Sequence, residues 1–165
     1  MDGPIATSEA TLLVELERFV YVESRLLDER KYAAWLELLT PDVTYWIPNY
    51  HTDGPPEECG VIVFEHLLEL RARVERTLDR RNPTQQPSPR TRHFLTNVLV
   101  VPSADGTTAS VGASLLLYVS KDEQLLSFPG HCDYTLRRTD DGWRIAAKTI
   151  NLLANGGPLS SLPIV

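Results

Sequence analysis

The chain has 165 residues, 42% of them hydrophobic, enough for one well-buried core; a single domain over residues 1–165 is expected. The formal net charge of -6 argues against nucleic acid or an anionic membrane surface as a partner, and no apolar run approaches the roughly 20 residues of a membrane helix. Met1 to Thr7 lack the basic and apolar regions of a secretory signal, and the two cysteines, Cys59 and Cys132, are expected as reduced thiols in a cytoplasmic protein, although one disulfide is open to them.

Ser8 reads as an N-cap, with Glu9 in the first turn. Leu12, Leu16, Phe19, Val20, Glu23, Leu26 and Leu27 then recur at helical spacing, which predicts an amphipathic helix over 8–28. Tyr32, Trp35, Leu36 and Leu39 follow the same template and predict a second helix over 31–39, ended by Thr40-Pro41-Asp42. Val43 to Ile47 is β-branched and aromatic and reads as a strand closed by Pro48. A Pro- and Gly-containing loop over 50–60 precedes a short strand over 61–64. A third helix over 65–80 carries an apolar stripe of Leu67, Leu70, Val74 and Leu78, with Glu69–Arg73 and Arg71–Glu75 as i,i+4 pairs. Residues 82–89 read as a loop.

From residue 91 the period changes. Four long strands are expected, over 91–101, 107–120, 125–138 and 143–154. Their short connections contain Asp105-Gly106, Lys121-Asp122-Glu123 and Asp140-Asp141-Gly142, which predicts an antiparallel meander. Pro129-Gly130 inside the third of these strands predicts a bulge or a sharp bend. Helices first and a long sheet second make an α+β layout, in which N-terminal helices pack on a strongly curved, mainly antiparallel sheet around a cone-like cavity.

The chemistry-bearing residues concentrate in Arg90-Thr91-Arg92-His93-Phe94-Leu95-Thr96-Asn97-Val98. Regular alternation places His93 with Leu95, Asn97, Leu99 and Val101 on one face, and Arg92 with Phe94, Thr96, Val98 and Val100 on the other. A strand entrance of this kind marks a pocket or a subunit contact. The pocket reading uses His93 as an acid–base group, with Asp28 or Asp42 and Tyr45 beside it in the cavity. The bland readings are a hydrogen-bonded structural histidine, an Asp42 that makes the turn after Pro41, and a Glu23 paired with an arginine at the edge of its helix stripe. Arg71, Arg73, Arg90 and Arg92 belong to the densest basic region, readable as a solvated helix face or as a salt-bridged subunit interface.

Metal chemistry has little support in the spacing. No two of His51, His66, His93 and His131 stand four apart, and there is no Cys-x-x-Cys. In His131-Cys132-Asp133 the cysteine points away from its neighbours on a strand. Neither cysteine has a histidine two residues on, as a Rieske cluster requires. There is no Gly-x-Ser-x-Gly elbow, and Gly156-Gly157-Pro158 opens no helix that could cradle a phosphate.

Several segments, in this order and spacing, resemble one family. They are Glu23-Ser24-Arg25-Leu26-Leu27-Asp28-Glu29-Arg30, Trp35-Leu36-Glu37-Leu38-Leu39, Pro41-Asp42-Val43-Thr44-Tyr45-Trp46-Ile47-Pro48 and Leu70-Arg71-Ala72-Arg73-Val74. Arg90-Thr91-Arg92-His93 with Asn97-Val98 follows, then Leu136-Arg137-Arg138 and Asp141-Gly142-Trp143-Arg144-Ile145-Ala146. Over residues 19–153 the chain is similar to the small, or β, subunits of bacterial aromatic-ring-hydroxylating dioxygenases. The resemblance implies a cystatin-like cone of the SnoaL-like superfamily, which also holds dehydratases, isomerases and polyketide cyclases. It implies a structural subunit in a hexamer of three α and three β chains, with a β trimer within it. The Rieske 2Fe–2S cluster and the mononuclear iron would sit on the α subunit, no cofactor on this chain, and Arg71, Arg73, Arg90 and Arg92 at subunit contacts. Family members often carry consecutive arginines after the glycine matching Gly130; His131-Cys132 stands there in this chain. That departure leaves a second expectation standing: a stand-alone dehydratase or isomerase working through His93, Asp28, Asp42 and Tyr45.

Overall fold

The computed structural model describes residues 4–49, 60–83, 86–153 and 162–165. In chain order the elements are α1 (Pro4–Asp28), α2 (Tyr32–Leu36), β1 (Leu39–Pro48), β2 (Val61–Glu65), α3 (Leu67–Leu78), β3 (Arg90–Pro102), β4 (Thr108–Lys121), β5 (Gln124–Thr139) and β6 (Gly142–Leu152). The strands form a six-stranded sheet in the order β2-β1-β6-β5-β4-β3. Every pairing is antiparallel except β1 with β6. The expected α+β layout and the meander from β3 to β6 are therefore present. The loop expected over 50–60 falls, apart from Gly60, outside the described residues, as do His51 and Cys59. Among the described residues no helix is long and apolar enough to cross a membrane.

The helices lie across one face of the sheet. Leu16, Val20 and Leu27 of α1 and Trp35 of α2 are buried against Tyr45, Leu117, Leu136, Ile145 and Ile150 from the strands. The meander turns are tight for a local reason. Asp122 and Glu123 both have positive φ, 50° and 62°, which matches the twist that a two-residue hairpin turn needs.

Several local expectations are corrected. Helix α1 begins at Pro4, so Ser8 lies inside it; proline is tolerated in a first turn, where its missing N–H has no partner to lose. The second helix stops at Leu36, because Leu39 leaves it to pair with Ile145 of β6 while the Ile145 N–H donates to the Leu38 carbonyl, 2.7 Å away. Thr40-Pro41-Asp42 thus lies within β1, at a register irregularity that absorbs the proline. In α3, Glu69 accepts from the His66 main-chain N–H and Arg73 pairs with Glu65, so the expected Glu69–Arg73 pair does not form.

Two further corrections concern β3 and β5. At Asn97 (φ 52°) the β3–β4 register shifts, and the alternation changes phase. His93 and Leu95 face the helices, but beyond the shift Val98 and Val100 turn inward, while Leu99 and Val101 are 72% and 65% exposed. In β5, by contrast, Pro129-Gly130 keeps its register with β4 and makes no bulge there. The Pro129 carbonyl accepts from Leu153 N, just past the last residue of β6. Its missing N–H therefore faces a point where the ladder is ending.

Candidate functional site

Helix α1 ends beside the start of β3, and this junction brings Asp28 to His93. The imidazole Nδ1 lies 2.7 Å from Asp28 Oδ1, with the two side chains 2% and 6% exposed. The same carboxylate accepts from the His93 main-chain N–H and from the Thr91 hydroxyl, at 3.0–3.2 Å. Arg92, 68% exposed, stands 3.8 Å from its other oxygen. Burial opposes ionisation of Asp28, but the His93 ring, the His93 N–H and the Thr91 hydroxyl outweigh it and hold the carboxyl below its ordinary 3.8. An ionised Asp28 makes Nδ1 the donor. The opposite ring nitrogen, Nε2, is buried and has no hydrogen-bond partner among the described residues.

The other two members of the expected acid–base set lie elsewhere. Asp42 is exposed and bound by Arg137 at 2.8 and 3.0 Å, which holds its carboxyl at about 2. Tyr45 is buried in the centre of the fold and hydrogen-bonds Val165. Strands β1 and β3 are separated in the sheet by β6, β5 and β4. Asp28 and His93 therefore meet without the other two. The groove beside them, about 480 Å³, is open and walled by Tyr21, Arg25, Arg92 and Phe94. His93 is among the residues that line this groove, and its Nε2 is buried. The pair ties the end of α1 to the start of β3.

That tie has a sign in pH. The folded-state pKa of Asp28 is depressed, so its contribution is complete above 3.8 and is lost as pH falls through the lower folded value. Asp28→Asn is expected to cost about 1.5–3 kcal/mol at neutral pH, the range for hydrogen bonds to a charged group. Urea midpoints of the two proteins should converge below 3.8; a gap of the same size in acid would show that the carboxylate's charge is not what matters.

A second cluster occupies the middle of the cone, and sequence reasoning missed most of it. Glu23, fully buried on α1, receives the Lys148 ammonium on both oxygens at 2.7 and 3.0 Å. Trp35 Nε1 and the Tyr134 hydroxyl donate to the same carboxylate at 3.0 and 3.1 Å. The expected arginine partner of Glu23 is thus replaced by a lysine from the last strand. Lys148 also donates to the Val165 main-chain oxygen at 2.8 Å. Burial pushes the Tyr134 and Tyr45 phenols well up and the adjacent Cys132 thiol up to about 12, so all three stay protonated. The available signal was Glu23 in an apolar helix stripe together with Lys148 two residues before Ile150, a buried position in alternation.

The remaining candidates separate. His131 and Asp133 point outward and contact each other at 3.1 Å, while Cys132 between them is buried. Among the described residues no three His, Cys, Asp or Glu side chains gather as a metal site would need. Arg73 is held by Glu65, with Nε 2.8 Å from Oε2, whereas Arg71, Arg90 and Arg92 are exposed. The α1–α2 turn links the elements that carry them: Asp28 binds the start of β3, and Arg30 donates to the Thr77 carbonyl of α3 at 3.3 Å.

Comparison with known proteins gives a consistent result. The family model described as "Ring hydroxylating beta subunit" matches residues 22–156. The biphenyl 2,3-dioxygenase subunit beta of Rhodococcus jostii RHA1 is 28% identical over 156 residues, covering 88% of this chain and 83% of the relative. The crystal structure of the benzoate 1,2-dioxygenase β subunit of Burkholderia mallei superposes with a TM-score of 0.70 at 26% identity, covering 84% of this chain and 89% of that one. An NTF2-like protein with a cystatin-like fold from Novosphingobium aromaticivorans reaches 0.63 at 19% identity over 97% and 96% of the two chains, a likeness of fold alone.

Proposed function

The chain belongs to the ring-hydroxylating β-subunit family, and from that premise we propose that it is the non-catalytic small subunit of a dioxygenase that adds dioxygen to an aromatic ring in catabolism. The observation that supports a structural role is the filled interior of the cone. The place where a cone-fold enzyme would receive its substrate holds a satisfied ion pair, Glu23 with Lys148, and the buried side chains of Ile164 and Val165. On this reading the Rieske 2Fe–2S cluster and the mononuclear iron belong to a larger α subunit. The β chains form a trimer within a hexamer of three α and three β chains in the cytoplasm. Arg71, Arg90 and Arg92 offer exposed guanidinium groups to carboxylates across the subunit contacts. Arg73, through Glu65, fixes the helix that presents Arg71.

The direct test is purification from native lysate. A larger iron-bearing protein should accompany this chain in a one-to-one ratio, and the chain purified alone should lack a Rieske absorption spectrum. Such a spectrum in the isolated chain would overturn the reading. Reversing two charges, Arg90→Glu with Arg92→Glu, is expected to weaken assembly by more than about tenfold, roughly 1.4 kcal/mol. Sedimentation of the purified complex would read this loss, and an unchanged hexamer would remove these two arginines from the interface.

A further inference from the structure

Residues 162–165 enter the centre of the cone without joining any helix or strand. Ile164 is 3% exposed and Val165 fully buried, and both belong to the hydrophobic core. Among the described residues, no main-chain to main-chain hydrogen bond ties this segment to the rest of the fold. Its polar anchors are two side chains. The Tyr45 hydroxyl donates to the Val165 oxygen at 2.8 Å and accepts from the Val165 N–H at 3.0 Å. Lys148 Nζ donates to the same oxygen at 2.8 Å, while its other bonds go to Glu23.

This is the geometry of a ligand in a pocket. A compact branched body fills an apolar space, and one oxygen is gripped by a phenol and an ammonium group. Pockets of this kind bind by apolar enclosure and take orientation from a few convergent polar groups. Withdrawing the segment would leave the Tyr45 hydroxyl and one Lys148 N–H buried without acceptors, which is costly unless another oxygen replaces Val165. A segment held by side chains alone can leave without breaking the β ladder, because none of its main-chain bonds belongs to the ladder.

We propose that residues 162–165 are a built-in, displaceable ligand, and that the pocket they fill is a latent site for a small molecule carrying a carbonyl or carboxylate oxygen on a compact branched or aromatic body. The proposal goes beyond the β-subunit assignment and shares one observation with it, the filled interior; its failure would leave that assignment, which the family match carries, in place.

The test uses the full-length chain with Ile164→Asp and Val165→Asp, which cannot keep two carboxylates in an apolar core and so expels the segment. Isovaleramide and isovalerate are the two probes, one neutral and one anionic. At least one should raise the thermal midpoint of this variant saturably while leaving the unaltered chain unmoved; which one does so identifies the preferred oxygen. Adding Tyr45→Phe should weaken that binding by about tenfold, as expected for the loss of one hydrogen bond in a closed site. A folded variant that binds neither probe, or an unaltered chain that binds equally well, would overturn the proposal. Should the variant not fold, amide hydrogen exchange in the unaltered chain decides. Faster exchange at Val165 than at Ile150 supports a segment that opens alone, and equal rates, both set by global unfolding, refute it.

Discussion

Replacing Lys148 by Met is expected to destabilise the fold by about 3–5 kcal/mol, the usual cost of stranding one partner of a buried ion pair. The side chains of Glu23 and Lys148 are 0% and 3% exposed, so water cannot solvate the carboxylate left behind. Trp35 and Tyr134 would still donate to it, but neither supplies a positive charge. For a chain of this size the thermal midpoint should fall by roughly 10 °C. The double variant Glu23→Gln with Lys148→Met should be less destabilised than Lys148→Met alone. Gln keeps an oxygen for Trp35 or Tyr134, and the second change no longer strands a charge. Chemical denaturation of the two single variants and the double variant measures this coupling. A Lys148→Met chain within about 1 kcal/mol of the parent would mean that Glu23 has another means of neutralisation.

The second large effect is expected at Gly130. A Cβ there would run into the Asn151 carbonyl oxygen and sit 3.1 Å from both the Asn151 carbonyl carbon and the Leu152 Cα. These are main-chain atoms of the neighbouring strand and cannot swing aside as a flexible side chain would. Gly130→Ala must therefore push β6 away from β5 at the end of their ladder, where Gly130 pairs with Leu152. A loss of about 2–3 kcal/mol is expected, at the upper end for overpacking. Hydrogen exchange should rise first at Leu152 and Leu153. Gly112→Ala provides the contrast: its nearest neighbour is the His131 ring at 3.3 Å, and His131 is an exposed side chain that can turn away. Equal losses at the two glycines would show that the close approach to Asn151 relaxes easily.

Much of the fold was legible because it is local. The stripe Leu16, Val20, Glu23 and Leu27 records one face of α1, and the two-residue turn at Asp122-Glu123 records a hairpin. Each depends on a few neighbouring residues, so periodicity reports it directly. The candidate site was legible only in part. Asp28 and His93 were both singled out, yet their pairing across 65 positions was one of several readings. Asp42 and Tyr45 were grouped with them, and the sheet order separates them. The four arginines were singled out together; the structure ties Arg73 to Glu65 and leaves the other three exposed.

Two shifts in strand phase decide which side chains point inward along β3 and β6. Plain alternation from His93 puts Leu99 and Val101 inside, and the shift at Asn97 turns them out. Plain alternation from Trp143 puts Lys148 outside; adjacent buried residues at Ile145 and Ala146, where the β5–β6 register shifts, turn it inward to Glu23. A one-residue slip reverses every later side chain, and no composition signal announces it.

By itself, then, the amino-acid sequence determined the α+β class, the order of elements, the antiparallel meander and the family, because these rest on local propensity and on motifs read in linear order. The tertiary structure alone decided that Lys148 neutralises Glu23, that His93 meets Asp28 and not Asp42, and that Ile164 and Val165 fill the cone. Those contacts join residues up to 125 positions apart. They form only where packing and strand register bring distant segments together, a choice made by the whole core at once and by no local stretch of the chain.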